Sequence, residues 1–195
     1  MTNSKLVMVA TAVCLWLMET SAVALAQGVE EKVAVCAGCH GPNGHSQVPD
    51  NPILAGQHPE YLTSALQEYV NGQRDYAIME TLAGRLSERD IEVISAYYAA
   101  QPPTQTQASA PGDAVRGEAL TAVCTACHAM GGRSAIPTNP KLAGQHALYL
   151  SRALAAYKRG GRTNPSMSAM AASLNEQDMA DIAAFYATQP VQAAE

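Results

Sequence analysis

Each half of the chain ends in a stretch whose apolar residues recur at helical spacing. In SERDIEVISAYYAAQ, Ile91, Ile94 and Tyr98 fall on one face, and Ser87 is followed three residues later by Asp90, the pattern of a helix N-cap. NEQDMADIAAFYATQ repeats this arrangement with Asn175, Asp178, Met179, Ile182 and Tyr186. We therefore expect a capped amphipathic helix at the end of each half.

A second pair of segments carries the same period in the middle of each half. PEYLTSALQEYVNG and ALYLSRALAAYKRG both run to a glycine, Gly72 or Gly160, of the kind that ends helices. No pair of segments shows the alternation of two neighbouring strands. The pattern as a whole predicts an all-α fold.

The first apolar run, residues 6–18, differs from these amphipathic segments. It is interrupted only by Thr11, follows Lys5, and is too short for a membrane span of about 20 residues. Ala24, Leu25 and Ala26 then offer a small-residue cleavage site. We interpret residues 1–26 as a secretory signal peptide, which would also remove Cys14. An uncleaved N-terminal anchor is the alternative.

The rest of the chain is a duplication without gaps, because adding 88 to a position in the first half gives its counterpart in the second. NPILAGQHPEYL, beginning at Asn51, matches NPKLAGQHALYL, beginning at Asn139. Two long copies indicate tandem domains rather than a solenoid. We expect domains at 27–103 and 113–195, joined by a linker at 104–112 within the polar, proline-bearing stretch QPPTQTQASAPGD.

All four cysteines after the signal belong to two CxxCH motifs, which are Cys36, Cys39 and His40, and Cys124, Cys127 and His128. Zinc would need four ligands, and one copy offers three, with only His45 or His58 to complete the shell. A redox dithiol would be expected in an α/β pattern. Haem attachment instead requires a histidine directly after the second cysteine, and both copies have one. We therefore predict two covalently attached haem c groups and axial iron ligation by His40 and His128.

The repeat also suggests a second axial ligand for each iron. Met79 is the only methionine at 27–103, and its counterpart is Met167. Met170 lies near Met167, but its counterpart is Leu82, which cannot bind iron. We predict Met79 and Met167 as ligands, both placed in polar loops. Ligation by the matched pair His58 and His146 is the alternative, and otherwise these two histidines are partly exposed residues that open the middle helices.

These repeated motifs resemble the diheme cytochrome c4 family over nearly the whole mature chain. The resemblance implies two class I cytochrome c domains, a periplasmic location often at the membrane surface, and electron transfer from a membrane donor toward a terminal oxidase such as a cbb3-type enzyme. It also implies that the carbonyls of Pro52 and Pro140 accept hydrogen bonds from His40 and His128.

The loop after the second motif and a matched pair of arginines allow more than one interpretation. The second copy has CHAMGGRS where the first has CHGPNGHS, so we expect a loop of different shape after His128. Arg74 and Arg162 match across the repeat and are interpreted either as partners of haem propionates or as surface arginines following a helix.

Charge is distributed unevenly along the mature chain. Residues 27–110 carry 4 basic and 10 acidic side chains, a net charge of −6, whereas residues 111–195 carry 7 basic and 6 acidic, a net charge of +1. The acidic total and the lack of a basic stripe argue against nucleic-acid binding. The predicted function is electron carriage without substrate chemistry. The alternative is the cytochrome subunit of a haem or flavin oxidoreductase, such as a sulfide-oxidising flavocytochrome.

Overall fold

The computed structural model describes residues 28–105 and 111–191. The predicted signal peptide, with Cys14, lies outside the described residues. Within them the chain is helical, as the sequence pattern predicts, and the one strand-like feature in these two ranges is an isolated antiparallel bridge between Arg74 and Arg162.

The two halves have corresponding elements in the same order. In the first half, α1 covers residues 28–40 and is followed by a 3₁₀ turn at Pro42–Gly44, α2 at Pro59–Val70, α3 at Ala77–Ala83 and α4 at Glu88–Ala99. In the second, α5 at Ala114–Leu120 and α6 at Thr125–His128 precede a 3₁₀ turn at Met130–Gly132, α7 at Ala147–Arg159, α8 at Pro165–Ala172 and α9 at Glu176–Thr188. Residues 121–124 form a turn between α5 and α6, at positions that are continuous helix in α1.

The capping boxes predicted for the last helix of each half are present. The Ser87 hydroxyl accepts from the Asp90 N–H at 3.2 Å, and the Asn175 side-chain oxygen accepts from the Asp178 N–H at 2.9 Å. The predicted stops are present as well, because Gly160 caps α7 with φ at 80° and Gly72 follows α2 with φ at 66°.

Each half packs its helices around a small core of its own. Helix α4 contacts α2 and contributes Ile94 and Tyr98 to a cluster with Val33 and Leu62. In the second half α9 packs on both α5 and α7, and the corresponding cluster consists of Leu150, Ile182, Ala183 and Tyr186. Cores of this size leave a domain of about 80 residues only marginally stable, so a bound apolar cofactor would contribute to its stability.

The segments containing Met79 and Met167 are short helices, so their prediction as loops was wrong. Helix α8 begins with Pro165, and the side chain of Asn164 accepts the Met167 N–H at 3.0 Å. In α3 the Glu80 carboxylate accepts the Tyr76 N–H at 2.6 Å. These local caps satisfy donors at the helix start, which lets sequences without a clear apolar period form one or two turns.

The loops after the two CxxCH motifs have the same shape, contrary to expectation. Gly41 and Ala129 both have positive φ, 74° and 59°, with ψ near extended values of 165° and 173°. Two residues later, Asn43 and Gly131 are also at positive φ. The second loop therefore keeps the backbone path of the first, although an alanine occupies the position of a glycine.

Candidate haem sites and the face between the two halves

Both pairs of motif cysteines are free thiols set on a helical end. Cys36 lies on α1 against the first core and Cys124 against the second, whereas Cys39 and Cys127 are exposed. Burial raises the pKa of both Cys36 and Cys124. Each half therefore presents one inner and one outer thiol on adjoining turns, an arrangement suited to two covalent bonds with one large group.

The motif histidines are buried and oriented by the hydrogen bonds that the resemblance implied. Nδ1 of His40 donates to the carbonyl oxygen of Pro52, and Nδ1 of His128 donates to that of Pro140, each at 2.9 Å. Burial lowers the pKa of both imidazoles, which favours their neutral form. Neither Nε2 atom makes a hydrogen bond to a residue that the structure describes, so both are available as iron ligands.

A second contact attaches each proline loop to its motif. The side-chain amide of Asn51 donates to the carbonyl of Cys39, and that of Asn139 donates to the carbonyl of Cys127, both at 2.9 Å. Because Cys39 and Cys127 directly precede the histidines, the loop is fixed to two successive residues. The residues present thus fit a haem on the histidine side: two thiols, an oriented imidazole with a free nitrogen, and a loop that holds the ring.

Met79 and Met167 are half-buried on α3 and α8. Helix α3 packs on α2, and α8 packs on α7. Each histidine lies at the end of one helix and each methionine on another, so a group bound by both must lie between those helices. The competing methionines are exposed, Met130 by 79% and Met170 by 46% of their surface.

His58 and His146 bind across the boundary between the halves. Nε2 of His58 donates to the carbonyl of Ser134 at 2.8 Å, and Nε2 of His146 donates to that of Ser46 at 3.0 Å. Both residues occupy the N-cap position of a middle helix, as predicted. Their hydrogen bonds to the opposite half, which the sequence did not reveal, give them a structural role.

Arg74 and Arg162 lie inside this boundary, so the surface interpretation was wrong. They are exposed by only 9% and 4%. Arg74 donates to the hydroxyl of Tyr149 at 2.9 Å, and Arg162 donates to that of Tyr61 at 3.0 Å. The guanidiniums also stack on Tyr69 and Tyr157, at 4.5 and 4.7 Å from the ring centroids.

Charge in this buried cluster is not balanced symmetrically. Arg162 pairs with Glu68 at 3.3 Å, whereas the position equivalent to Glu68 in the second half is Ala156. Burial alone would raise the pKa of Tyr149, but the two guanidiniums outweigh it and lower that pKa to about 8. The cluster is therefore an electropositive region between the halves.

Several hydrogen bonds across the boundary are reciprocal under the 88-residue repeat. In the main chain, Asp75 N–H donates to Gly161 O and Thr163 N–H to Gln73 O, each at 2.8 Å. The side chains of Gln57 and Gln145 likewise bind the backbone of the opposite half. Sequence reasoning missed the glutamines and asparagines, although both lie in the repeated NPxLAGQ segment. The exact repetition of these polar residues in both loops was the sequence signal that could have indicated their role.

Comparison with known proteins agrees with this geometry. The family model for cytochrome c matches residues 27–100 and again 114–189. Cytochrome c4 of Pseudomonas aeruginosa is 35% identical over 170 residues, covering 80% of this chain and 84% of that protein. The structure of reduced recombinant cytochrome c4 from Pseudomonas stutzeri has a TM-score of 0.75 at 32% identity, covering 85% of this chain and 98% of that one.

A further relative is named for a different role. The thiosulfate dehydrogenase electron acceptor of Stutzerimonas stutzeri is 27% identical over 175 residues, covering 82% of this chain and 81% of that protein. The chain thus belongs to the cytochrome c family. Within that family it is a diheme electron carrier of the cytochrome c4 type, with two haem c cofactors, and not an enzyme.

Among residues 28–105 and 111–191, no group of three or more His, Cys, Asp or Glu side chains converges in the way a zinc shell would require. No helix in the part of the chain that the structure describes is long and apolar enough to cross a membrane.

Proposed function

We propose that this chain holds two haem c groups with His-Met ligation and passes single electrons between redox proteins of the periplasm. Cys36, Cys39, His40 and Met79 would hold one group, and Cys124, Cys127, His128 and Met167 the other. The observation that carries the proposal is the pair of buried imidazoles. Each is anchored through Nδ1 to a proline carbonyl, and its Nε2 makes no hydrogen bond to a residue that the structure describes.

The residues of this chain contribute orientation and electronic tuning. When bound, a haem supplies the one-electron couple of its iron. The Pro52 and Pro140 carbonyls fix the ring plane of each histidine and raise its basicity, which favours the ferric state. A methionine on the opposite side would leave no coordination position for a substrate, consistent with a carrier.

Location and partners rest on sequence features. The predicted signal at residues 1–26 supports export to the periplasm, with or without association with the membrane surface. The partners we propose are a membrane electron donor and a terminal oxidase such as a cbb3-type enzyme. The difference in charge between the two halves would orient the protein on such partners.

Spectroscopy tests the cofactor and ligand assignment. A pyridine haemochrome spectrum should report two haem c groups per chain, and zinc analysis should report none. The reduced protein should not bind carbon monoxide, because both axial positions are filled. Rapid carbon monoxide binding to the purified wild-type protein would indicate an open iron and would contradict the carrier proposal.

A second candidate is an electron acceptor for a thiosulfate-oxidising enzyme, supported by the Stutzerimonas relative that is named for that role. It shares the carrier chemistry and differs in the donor. Stopped-flow mixing of the oxidised protein with a thiosulfate dehydrogenase and thiosulfate should then give rapid reduction, and omission of thiosulfate is the control. Co-purification with a flavoprotein would instead favour the oxidoreductase-subunit alternative.

A further inference from the structure

The loop that holds each axial histidine is itself held by a glutamine from the other half. Gln145 accepts the N–H of Ile53 and donates to the carbonyl of the same residue, both at 2.9 Å. Gln57 makes the same two bonds to Lys141, both at 3.0 Å. Both glutamines are buried, and the two bonds between Gln145 and Ile53 are buried as well.

One peptide plane connects each glutamine to an axial histidine. The carbonyl of Pro52 and the N–H of Ile53 belong to the same peptide unit, which is planar and rigid. His40 binds its oxygen at 2.9 Å, and Gln145 binds its N–H. The Pro140–Lys141 peptide joins His128 and Gln57 in the same way. Hydrogen bonds in such a chain polarise one another, so an acceptor on the N–H strengthens the carbonyl as an acceptor.

Each glutamine side chain is also held by a contact within its own half. The oxygen of Gln57 also accepts the N–H of His58, and the oxygen of Gln145 accepts that of His146, each at 3.0 Å. These contacts fix the side chains at the starts of α2 and α7. Each half thus places one amide, held from its own side, against the N–H and carbonyl of a single residue of the other half.

We propose that Gln57 and Gln145 are positioning residues that act in trans, each tuning the axial histidine of the opposite half. The inference rests on the proposed His-Met function. Loss of the Gln145 acceptor weakens the Pro52 carbonyl, makes His40 a poorer donor to iron and destabilises the ferric state. The reduction potential of the haem in the first half then rises. Loss of Gln57 raises that of the haem in the second half.

The effects of replacing Gln145 and Gln57 should be unequal, because Lys141 makes an additional hydrogen bond across the boundary. Its Nζ donates to the carbonyl of Gly56 at 2.7 Å, whereas the equivalent residue in the first half is Ile53, which has no such group. The Pro140 loop therefore stays partly fixed when Gln57 is replaced. We expect Gln145→Met to shift the first haem further than Gln57→Met shifts the second.

The test is a redox titration of the full-length holoprotein and its variants, with each haem identified by NMR contacts of its methyl groups to residues of its own half. Gln145→Met and Gln57→Met preserve side-chain length while removing both hydrogen bonds. The expected result is an upward shift confined mainly to the haem of the opposite half.

His146→Ala is the matched control, because it removes an interdomain bond of 3.0 Å to Ser46 without touching the Pro52–Ile53 peptide. Shifts of the haem in the same half, equal shifts of both haems, unchanged potentials, or an equal effect of His146→Ala would each overturn the inference. A weak far-red absorption band of ferric haem marks sulfur ligation and so reports His-Met ligation separately. If the variants keep this band but the potential of the opposite haem does not shift, only the trans effect is disproved.

Discussion

Ala129 occupies a backbone conformation that normally belongs to glycine. Its φ of 59° and ψ of 173° match those of Gly41, where an added Cβ would lie 2.4 Å from the carbonyl oxygen of His45. A residue with a side chain in this region is strained by about 1 to 3 kcal/mol. The second half tolerates that strain directly beside its axial histidine.

Replacing Ala129 with glycine should therefore stabilise the protein. The relief of strain exceeds the entropy that glycine adds to the unfolded chain, leaving a gain on the order of 1 kcal/mol. Gly41→Ala is the matched reverse change and should destabilise by a similar or larger amount. Thermal unfolding of both holoprotein variants measures the effect, and a loss of stability in Ala129→Gly would contradict it.

Met79 and Met167 are the residues whose role is easiest to test by substitution. If each binds one iron, Met79→Ala and Met167→Ala should each remove about half of the weak far-red band that marks sulfur ligation of ferric haem. Met170→Ala, which changes the exposed neighbour, serves as the control and should leave the band intact. Persistence of the full band in both single variants would show that other residues ligate the irons.

At the scale of elements, α9 is fixed to α5 by a buried carboxylate without a counterpart in the first half. Asp181 is fully buried and accepts from the Asp113 N–H at 2.7 Å, from Gln177 at 2.8 Å and from Arg116. Gly117 allows this approach, since a Cβ there would lie 2.0 Å from the Asp181 carbonyl. Position 93 in α4, which corresponds to Asp181, is a valine.

The Asp181 network should make the second half acid-sensitive. The hydrogen bond from Asp113, with Arg116 and Gln177, lowers the pKa of Asp181 below its ordinary value of 3.8. A carboxylate with a lowered folded-state pKa contributes stability that is present above the unfolded value and is lost as pH falls through the folded value. The Asp181→Asn variant should therefore be destabilised most, relative to wild type, near neutral pH. This difference in stability should shrink at pH values below the ordinary pKa of 3.8.

Unfolding of the two proteins across a pH series provides the measurement. Glu92→Gln is the control, because Glu92 forms an exposed ion pair with Arg89 on α4, and its replacement should change stability little. A stability difference between wild type and Asp181→Asn that is independent of pH would refute the role of ionisation.

At the scale of the whole molecule, the boundary joins an acidic half to a slightly basic one. Two of its ion pairs, Asp50 with Arg152 and Glu68 with Arg162, place the carboxylate in the first half and the guanidinium in the second. Neither pair has a counterpart under the repeat. These two ion pairs favour docking of the first half against the second over docking of two identical halves. They add to the reciprocal hydrogen bonds across the boundary.

The same asymmetry predicts the order in which the haems are reduced. Negative charge favours ferric iron, so the haem of the first half, with a net charge of −6 against +1, should have the lower potential. Seven unit charges acting through a water-like, partly screened medium amount to roughly 0.4 to 2 kcal/mol, or on the order of 20 to 80 mV. Redox titration at two salt concentrations measures this, and a higher potential in the first half or a splitting insensitive to salt would disprove it.

Sequence alone determined the middle and last helices of each half and the CxxCH residues, because each depends on residues that are near one another in the chain. Ser87 and Asp90 form a cap within one turn. The CxxCH motif is a local unit, and its repetition at a fixed offset defined the rest. The methionine helices escaped prediction because they begin with short polar caps rather than an apolar period.

Only the tertiary structure decided what Gln57, His58, Arg74 and their counterparts do. Their partners across the boundary lie 75 or more positions away and are often backbone atoms, which carry no residue-specific signal. A polar residue that binds a distant carbonyl has the same local sequence as one exposed to water. The docking of the two halves buries these groups, and burial makes each unpaired donor or acceptor costly, which turns a repeated loop motif into a specific interface.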